Sequence, residues 1–271
     1  MSLRIAIISI VALFAALTTN AAKVDTITIK AVEMPRPIVV TVIIPEGASA
    51  THRVPTVYLL NGFGGDHKQW TTTCKQLPAL ADQYGMAMVM PDGCDSWYWD
   101  APANPKVKME TFMTKRLVPY IDKHYPTLPE ASKRAITGLS MGGHGAFWLG
   151  GRHPDIWKNI GSTSGGVNIL PYTERWKMKD ALGAYTSATA KTWETHTIIN
   201  LVSQMTPGAN NIIFDCGIED IFSGVNAALH RKLLEAKIPH DYISRPGNHN
   251  RKYWSNSILY HLLYFSRHFG K

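Results

Sequence analysis

The sequence is poor in cysteine and in charged residues, and both shortages exclude whole classes of protein. It has 3 Cys among 271 residues, and 18% of the residues are charged. Three cysteines are too few for a small disulfide-stapled scaffold. The sequence also contains no Cys-x-x-Cys pair of the kind that predicts a zinc site. Since 45% of the residues are apolar, the chain can bury a large core, which excludes wholesale disorder.

The sequence also has no apolar run long enough for a membrane span. The longest lies at residues 5–17, follows Arg4 and ends in small residues. It is shorter than the roughly 18 residues of a spanning helix, and no second such run follows. This pattern is typical of a secretory signal peptide. We expect cleavage after Ala21 or Ala22 and therefore an exported protein, periplasmic or secreted, with no stable membrane insertion.

An exported protein folds in an oxidising compartment, where cysteines can pair. The odd number of cysteines leaves at least one of Cys74, Cys94 and Cys216 free. A Cys74–Cys94 bridge and three buried free thiols are both compatible with the sequence.

Short β-branched runs alternate with amphipathic stretches of helical length. The predicted strands are 24–32, 38–44, 57–60, 86–90, 135–137, 211–215 and 241–244, and the predicted helices are 111–125, 141–153, 225–236 and 253–269. Alternation of this kind predicts an α/β fold, a mostly parallel central sheet with helices on both faces. We expect a signal peptide over residues 1–22 and one domain over residues 23–271. The least regular segment, residues 168–207, is a candidate cap over the sheet.

The clearest motif is Gly138-Leu-Ser140-Met-Gly142, between a predicted strand and a predicted helix. Gly-x-Ser-x-Gly in this context is typical of a nucleophile elbow, a tight turn that presents a serine hydroxyl to a cleft. Side chains at positions 138 and 142 would collide with the neighbouring strand and helix. The pattern predicts Ser140 as a nucleophile, with a purely structural turn as the alternative.

A serine nucleophile needs a histidine base and a carboxylate that orients the histidine. His249 lies in a Pro/Gly turn directly after a predicted strand, which is typical of a functional position. Glu219 and Asp220 both follow the preceding strand, and the residues alone do not choose between them. An oxyanion hole would take one backbone N–H from Met141 and another from the glycine-rich loop 61–66. That loop lacks the spacing of a phosphate-binding motif.

Four motifs together resemble one branch of a known superfamily. They are Leu-Leu-Asn-Gly-Phe-Gly-Gly at 59–65, the elbow at 138–146, Asp-Cys-Gly-Ile-Glu-Asp at 215–220 and Gly-Asn-His at 247–249. This set resembles the putative-esterase branch of the α/β-hydrolases, which includes feruloyl and acetylxylan esterases, tributyrin esterases, S-formylglutathione hydrolases and mycolyltransferases. The resemblance spans almost the whole chain after the signal peptide and implies an α/β-hydrolase fold.

The resemblance also implies roles for single residues. Ser140 becomes the nucleophile, Asp220 rather than Glu219 the acid, and His249 the base. Phe63 shares the oxyanion hole with Met141. Two positions depart from the family pattern, which usually has His where this chain has Asn61 and often Trp where it has Arg251.

These observations predict an exported serine carboxylic-ester hydrolase, acting through a Ser-His-Asp triad and an acyl-enzyme, that removes acetyl or feruloyl groups from carbohydrate esters. The alternatives are acyl transfer to a sugar hydroxyl on the same triad and a non-catalytic binding module. Trp97 and Trp99 are candidates to stack on a sugar or a phenolic acyl group, or else they pack their loop against the body. The chemistry implies no metal and no cofactor.

The net charge of +8 does not by itself indicate a nucleic-acid partner. The basic residues are spread along the chain with no dense run. In an exported hydrolase, such an excess favours anionic surfaces or acidic polysaccharide. The expected partner is a small-molecule or polysaccharide ester, and we expect no nucleic-acid partner.

Overall fold

The computed structural model describes residues 21–270, so the predicted signal peptide lies outside the described residues except for Ala21 and Ala22. Within this range, no helix combines the length and the apolar character that crossing a bilayer requires. Cys74, Cys94 and Cys216 are all free thiols, so the Cys74–Cys94 bridge is not formed.

Eight strands form one sheet. They are β1 (Lys23–Ile29), β2 (Ile38–Ile44), β3 (Thr56–Leu60), β4 (Ala87–Pro91), β5 (Arg134–Gly138), β6 (Asn159–Thr163), β7 (Asn211–Gly217) and β8 (Asp241–Arg245). Their order across the sheet is β1-β2-β4-β3-β5-β6-β7-β8. β1 and β2 pair antiparallel, and β2 pairs antiparallel with β4, whereas every pair from β4 to β8 is parallel. The predicted mostly parallel sheet is confirmed.

Within residues 21–270, ten α-helices connect and cover these strands. They are α1 (Gln69–Thr73), α2 (Leu77–Tyr84), α3 (Met109–Phe112), α4 (Val118–His124), α5 (Met141–Arg152), α6 (Met178–Leu182), α7 (Ala190–Thr195), α8 (Ile198–Leu201), α9 (Ser223–Glu235) and α10 (Arg251–His268). A π-helical turn, Met113–Leu117, separates α3 from α4. Pro119 has no N–H for an α-helical bond at this point, which accounts for the interruption of the predicted helix 111–125.

The two faces of the sheet carry two separate apolar cores. On one face, α1, α2 and α10 contribute Trp70, Leu77 and Phe265 to one cluster. On the other face, α5 and α9 contribute Phe147 and Leu229 to a larger cluster. The helices on both faces bury every residue of β3, β4, β5 and β6, whereas the edge strand β8 stays partly exposed. Burial on both faces accounts for the nearly continuous apolar sequences of β3 and β4.

The predicted cap, residues 168–207, contains three short α-helices, α6 to α8, and two 3-10 turns, Leu170–Tyr172 and Val202–Gln204. Trp193, Ile198 and Leu201 are buried in the larger apolar core, and α8 contacts α5 and α9. The segment therefore packs onto the same face of the sheet as these two helices. The carboxyl ends of β3, β5, β7 and β8 lead into the loops that carry the predicted site residues.

Candidate active site

Ser140 lies in the sharp turn between β5 and α5. Its backbone has φ 56° and ψ −115°. Non-glycine residues rarely adopt this conformation, and those that do are often found at functional sites. A Cβ atom on Gly142 would lie 2.3 Å from the Leu60 carbonyl oxygen, and one on Gly138 would lie 2.4 Å from the Gly142 carbonyl carbon. The two glycines are therefore required because strand, turn and helix approach too closely for any side chain.

A chain of hydrogen bonds joins the three side chains that the resemblance implies as a triad. His249 Nε2 lies 3.0 Å from Ser140 Oγ, and His249 Nδ1 lies 2.9 and 3.0 Å from the two carboxylate oxygens of Asp220. A carboxylate only accepts hydrogen bonds, so Nδ1 carries a proton and Nε2 is free to accept the serine proton. The arrangement has the geometry of a nucleophile, a base and an orienting acid.

Asp220, and not Glu219, contacts the imidazole of His249. The Asp220 carboxylate is buried, and its Oδ1 also accepts the Phe222 N–H at 2.8 Å. Glu219 points outward, and its carboxylate accepts the Gly247 N–H at 2.5 Å. Each carboxylate therefore has a separate task, since Glu219 fixes the loop that carries His249 while Asp220 contacts the imidazole itself.

His249 is held in an aromatic setting and is only partly exposed. The rings of Phe222 and Trp254 lie nearly perpendicular to the His249 ring, with their centroids 5.3 and 4.9 Å from its centroid. The His249 side chain is 21% exposed, whereas that of Asp220 is fully covered. Asp220 is thus screened from water, whereas Ser140 and His249 stay partly exposed.

The backbone donors predicted for an oxyanion hole have no competing acceptor. Within residues 21–270, neither the Phe63 N–H nor the Met141 N–H is hydrogen-bonded. The residues on either side of Phe63 are fixed, because Gly62 N–H donates to Gln69 Oε1 at 2.7 Å and Gly64 N–H donates to Asp95 Oδ1 at 2.7 Å. The loop is held in place by its neighbours while the Phe63 N–H stays free for a ligand.

Trp97 and Trp99, the predicted stacking residues, are almost completely buried. They are 2% and 0% exposed, and their rings stack on each other with centroids 5.5 Å apart. Trp99 Nε1 donates to His144 Nε2 at 3.0 Å, and Trp97 Nε1 donates to the Trp176 carbonyl. In this structure the two rings pack their loop against α5 and the segment 168–207. Their contact with substrate stays a prediction.

A group of aromatic side chains beside His249, which the sequence does not predict, combines the partly exposed Tyr172 and Trp176 with the buried Phe222. Tyr172, Trp176 and Phe222 lie with ring centroids 5.3–5.4 Å apart, and we call this group the aromatic wall. Phe222 is also the neighbour of His249. The Trp and Tyr residues of the segment 168–207 are visible in the sequence. The sequence alone does not show that the rings of Tyr172 and Trp176 lie beside the loop of Phe222, some 50 residues later.

The family assignment follows from comparison with known proteins. A sequence profile described as "Putative esterase" matches residues 31–265 of this chain. The chain belongs to this family. The predicted family is confirmed, and an esterase is the class of enzyme that membership supports.

The curated relatives of this esterase-family chain include an esterase and an S-formylglutathione hydrolase. An esterase of Mycobacterium tuberculosis (strain ATCC 25618 / H37Rv) is 25% identical over 237 residues, which cover 78% of this chain and 52% of that protein. The chain thus spans about half the length of that relative. The S-formylglutathione hydrolase of Bos taurus is 25% identical over 244 residues, covering 80% of this chain and 84% of that enzyme.

Solved structures show the same fold. The structure of a ferulic acid esterase superposes with a TM-score of 0.80 at 24% identity, covering 92% of this chain and 99% of that one. The predicted α/β-hydrolase fold is confirmed.

The two departures from the family pattern have different surroundings. Asn61 is buried, and its Oδ1 accepts the Gly93 N–H at 2.8 Å and the Tyr98 hydroxyl at 3.0 Å. It therefore ties the loop after β4 to the loop that carries Phe63. Arg251 is exposed at the first position of α10.

Proposed function

We propose that this chain is an exported serine carboxylic-ester hydrolase that removes acyl groups, such as acetyl or feruloyl, from carbohydrate esters. The observation that carries the proposal is the hydrogen-bonded chain from Ser140 Oγ through His249 to Asp220. It stands beside two free backbone N–H groups in a member of an esterase family.

The proposed reaction begins with attack of Ser140 Oγ on the ester carbonyl carbon. His249 Nε2 takes the serine proton, and Asp220 stabilises the resulting imidazolium. The Phe63 and Met141 N–H groups donate to the oxyanion as negative charge develops on the carbonyl oxygen. When the tetrahedral intermediate collapses, His249 returns the proton to the departing alkoxide, and the alcohol leaves.

The second half of the reaction releases the acid. Water attacks the acyl-Ser140 carbonyl while His249 takes a proton from it, and the same N–H groups stabilise the second oxyanion. Collapse returns the proton to Ser140 Oγ and frees the carboxylic acid. Each proton taken by His249 is given back, so the enzyme ends in its starting state without a cofactor.

The aromatic wall supports an acyl or sugar group with a flat or apolar face. Tyr172 and Trp176 are half-buried and lie next to Phe222, which contacts His249. A sugar ring or a feruloyl ring placed on this wall would bring its ester bond towards Ser140. Aromatic rings of this kind can bury a large apolar area against a ligand, while the polar atoms of Tyr and Trp stay in contact with water.

Export is the part of the proposal that rests on the leader sequence. One contact supports cleavage after Ala21, because the Ala22 N–H donates to Asp82 Oδ2 at 3.0 Å. Cleavage at that point would turn this N–H into an ammonium group facing a carboxylate. N-terminal sequencing of the exported protein should therefore begin at Ala22, and recovery of the intact leader in the cytosol would contradict export.

The activity is tested with a chromogenic ester and a matched variant. The purified protein should hydrolyse p-nitrophenyl acetate, and Ser140→Ala should lower kcat by about 10⁴-fold or more. Activity of Ser140→Ala close to wild type would contradict the assignment. A panel of acetyl-xylan, methyl ferulate and tributyrin then ranks the acyl groups, and a competing sugar acceptor separates hydrolysis from acyl transfer.

A further inference from the structure

A second cluster of polar side chains lies beneath the candidate active site, on β7. Asp215 is fully buried, and its Oδ1 accepts hydrogen bonds from Thr163 Oγ1 at 2.9 Å and Ser257 Oγ at 2.7 Å. Its Oδ2 accepts from His261 Nε2 at 2.8 Å. Asp215 takes no part in the reaction proposed above, although it begins the motif that ends in Asp220.

The positive charge that balances Asp215 comes from the neighbouring strand. Arg245, at the end of β8, places Nη2 3.7 Å from Asp215 Oδ1 and donates to Ser257 Oγ. Its guanidinium lies over the rings of Tyr253 and Tyr260, at 4.5 and 4.8 Å from their centroids. Burial alone would raise the pKa of Asp215, but the bonds from His261 and Ser257 and the charge of Arg245 outweigh it and hold that pKa below its usual value.

These partners lie on the elements that flank the loop of His249. The loop leaves β8 directly after Arg245 and enters α10 at Arg251. Ser257 and His261 lie on the inner side of α10 and are fully buried. Both ends of the loop are thus anchored to one carboxylate, and that carboxylate lies on the strand that leads to Asp220.

The same cluster extends to the strand of the nucleophile. His261 Nδ1 lies 2.8 Å from Thr137 Oγ1 on β5, three residues before Ser140. A buried carboxylate with several donors has one low-energy position, because leaving any of these groups unpaired in the interior is costly. The cluster therefore fixes the elements of all three proposed triad members relative to one another.

We propose that Asp215 is a positioning residue for the catalytic base: by anchoring both ends of the loop of His249, it sets the distance between His249 Nε2 and Ser140 Oγ. This inference rests on the proposed function. A displacement of about 1 Å in a catalytic group costs as much as about 10²-fold in rate, so loss of the anchor should appear in kcat more than in KM.

Two hydroxyl deletions give the sharpest test, since both remove a donor to the same oxygen of Asp215. Ser257→Ala removes a donor on α10, which carries one end of the loop, whereas Thr163→Val removes a donor on β6, which does not. We expect comparable losses of Tm for the two variants. Ser257→Ala should lower kcat by about 10-fold and Thr163→Val by about twofold or less. The acid limb of the kcat/KM pH profile should shift in Ser257→Ala alone.

A second comparison separates positioning from general stabilisation. Glu110 is another buried carboxylate, with donors from Trp148, Arg152 and His153 at 2.7–2.9 Å, and it joins α3 to the far end of α5. Glu110→Gln should lower Tm and leave kcat unchanged. Asp215→Asn should lower kcat by about 10²-fold with KM changed by about threefold or less.

Labelling by a small fluorophosphonate completes the test, because this reagent reports on the reactivity of Ser140 with little need for substrate contacts. The labelling rate should fall in Asp215→Asn and Ser257→Ala in proportion to kcat. Equal kcat losses in Ser257→Ala and Thr163→Val, or undiminished labelling of folded Asp215→Asn, would overturn the positioning role. If wild-type protein is not labelled at Ser140, the proposed function itself fails. Should Asp215→Asn not fold, the two hydroxyl variants still decide the question.

Discussion

At the scale of single residues, His144 shows how burial fixes a protonation state close to Ser140. Its Nε2 accepts a hydrogen bond from Trp99 Nε1, and its Nδ1–H donates to the Gly166 carbonyl at 2.9 Å. Burial lowers the pKa of His144 to about 3. The imidazole is therefore neutral at working pH, and it joins the loop of Trp99 to α5.

The lowered pKa of His144 predicts a loss of stability in mild acid. The unfolded chain takes up a proton on this histidine near pH 6.5, whereas the folded chain does not until about pH 3. Above pH 6.5, the free energy of unfolding therefore includes the full contribution of neutral His144. This contribution falls as the pH drops, by about 2 kcal/mol between pH 8 and pH 5. Urea unfolding measures it at each pH.

Two variants check the assignment of this pH dependence. His144→Gln should be less stable than wild type at pH 8 but should lose about 2 kcal/mol less between pH 8 and pH 5. His268→Gln, at an exposed position on α10, should keep the wild-type slope. A wild-type slope in His144→Gln would show that another group titrates.

At the scale of elements, the end of α9 illustrates how a helix can stop without glycine. Lys237 follows the helix with φ 56°, and its N–H donates to the Leu234 carbonyl while the Ile238 N–H donates to that of Leu233. This pattern of bonds is normally made by glycine, because other residues are strained in the left-handed conformation.

Glycine at this position should therefore stabilise the protein. Lys237→Gly should raise the free energy of unfolding by about 1 kcal/mol, since it removes backbone strain from an exposed residue. Lys232→Gly, in the interior of α9, should lower it by about 1 kcal/mol because glycine is a poor helix former. Destabilisation by both variants, seen in chemical denaturation, would contradict the strained cap.

Elements with strong local patterns were predictable from sequence, and those set by long-range packing were not. β2 and the elbow at Ser140 follow from a β-branched run and from closely spaced glycines. The sequence does not predict β6, Asn-Ile-Gly-Ser-Thr, because Asn and Gly are depleted in strands and Ile160 is its only large apolar residue. It is a strand because β5 and β7 pair with it on both sides.

The candidate site divides in the same way. Ser140 and His249 could be predicted as site residues from the sequence. Ser140 lies in a Gly-x-Ser-x-Gly motif and His249 in a Pro/Gly turn, each after a predicted strand. It left Glu219 and Asp220 unresolved until family resemblance favoured Asp220, since neighbouring side chains on one loop differ only in direction. The anchoring role inferred for Asp215 depends on contacts with three distant segments, which no local pattern encodes.

At the scale of the whole molecule, the positive charge predicts a preference among substrates. The sequence has 28 Lys and Arg against 20 Asp and Glu. Lys177 is exposed, and its Nζ lies 5.9 Å from the ring centroid of Phe63, the residue proposed to supply an oxyanion donor. An ester with a negative group near its acyl carbon should be attracted to this edge of the site.

Salt dependence and two lysine variants measure this attraction. The ratio of kcat/KM for a carboxylate-bearing ester to that for a neutral ester of equal size should fall as salt rises from about 0.05 to 0.5 M. Lys177→Met should lower the ratio by about two- to fivefold at low salt. Lys158→Met, at the opposite edge of the sheet before β6, should leave it unchanged. Equal effects of the two variants would assign the preference to net charge alone.

The measurement that tests the triad most directly is the site of covalent modification. After reaction with a fluorophosphonate, the protein should carry one adduct, and peptide mapping should place it on Ser140. The adduct should be absent from Ser140→Ala and should form far more slowly in His249→Ala, which lacks the proposed base. An adduct on another residue, or ester hydrolysis by Ser140→Ala at the wild-type rate, would contradict the account.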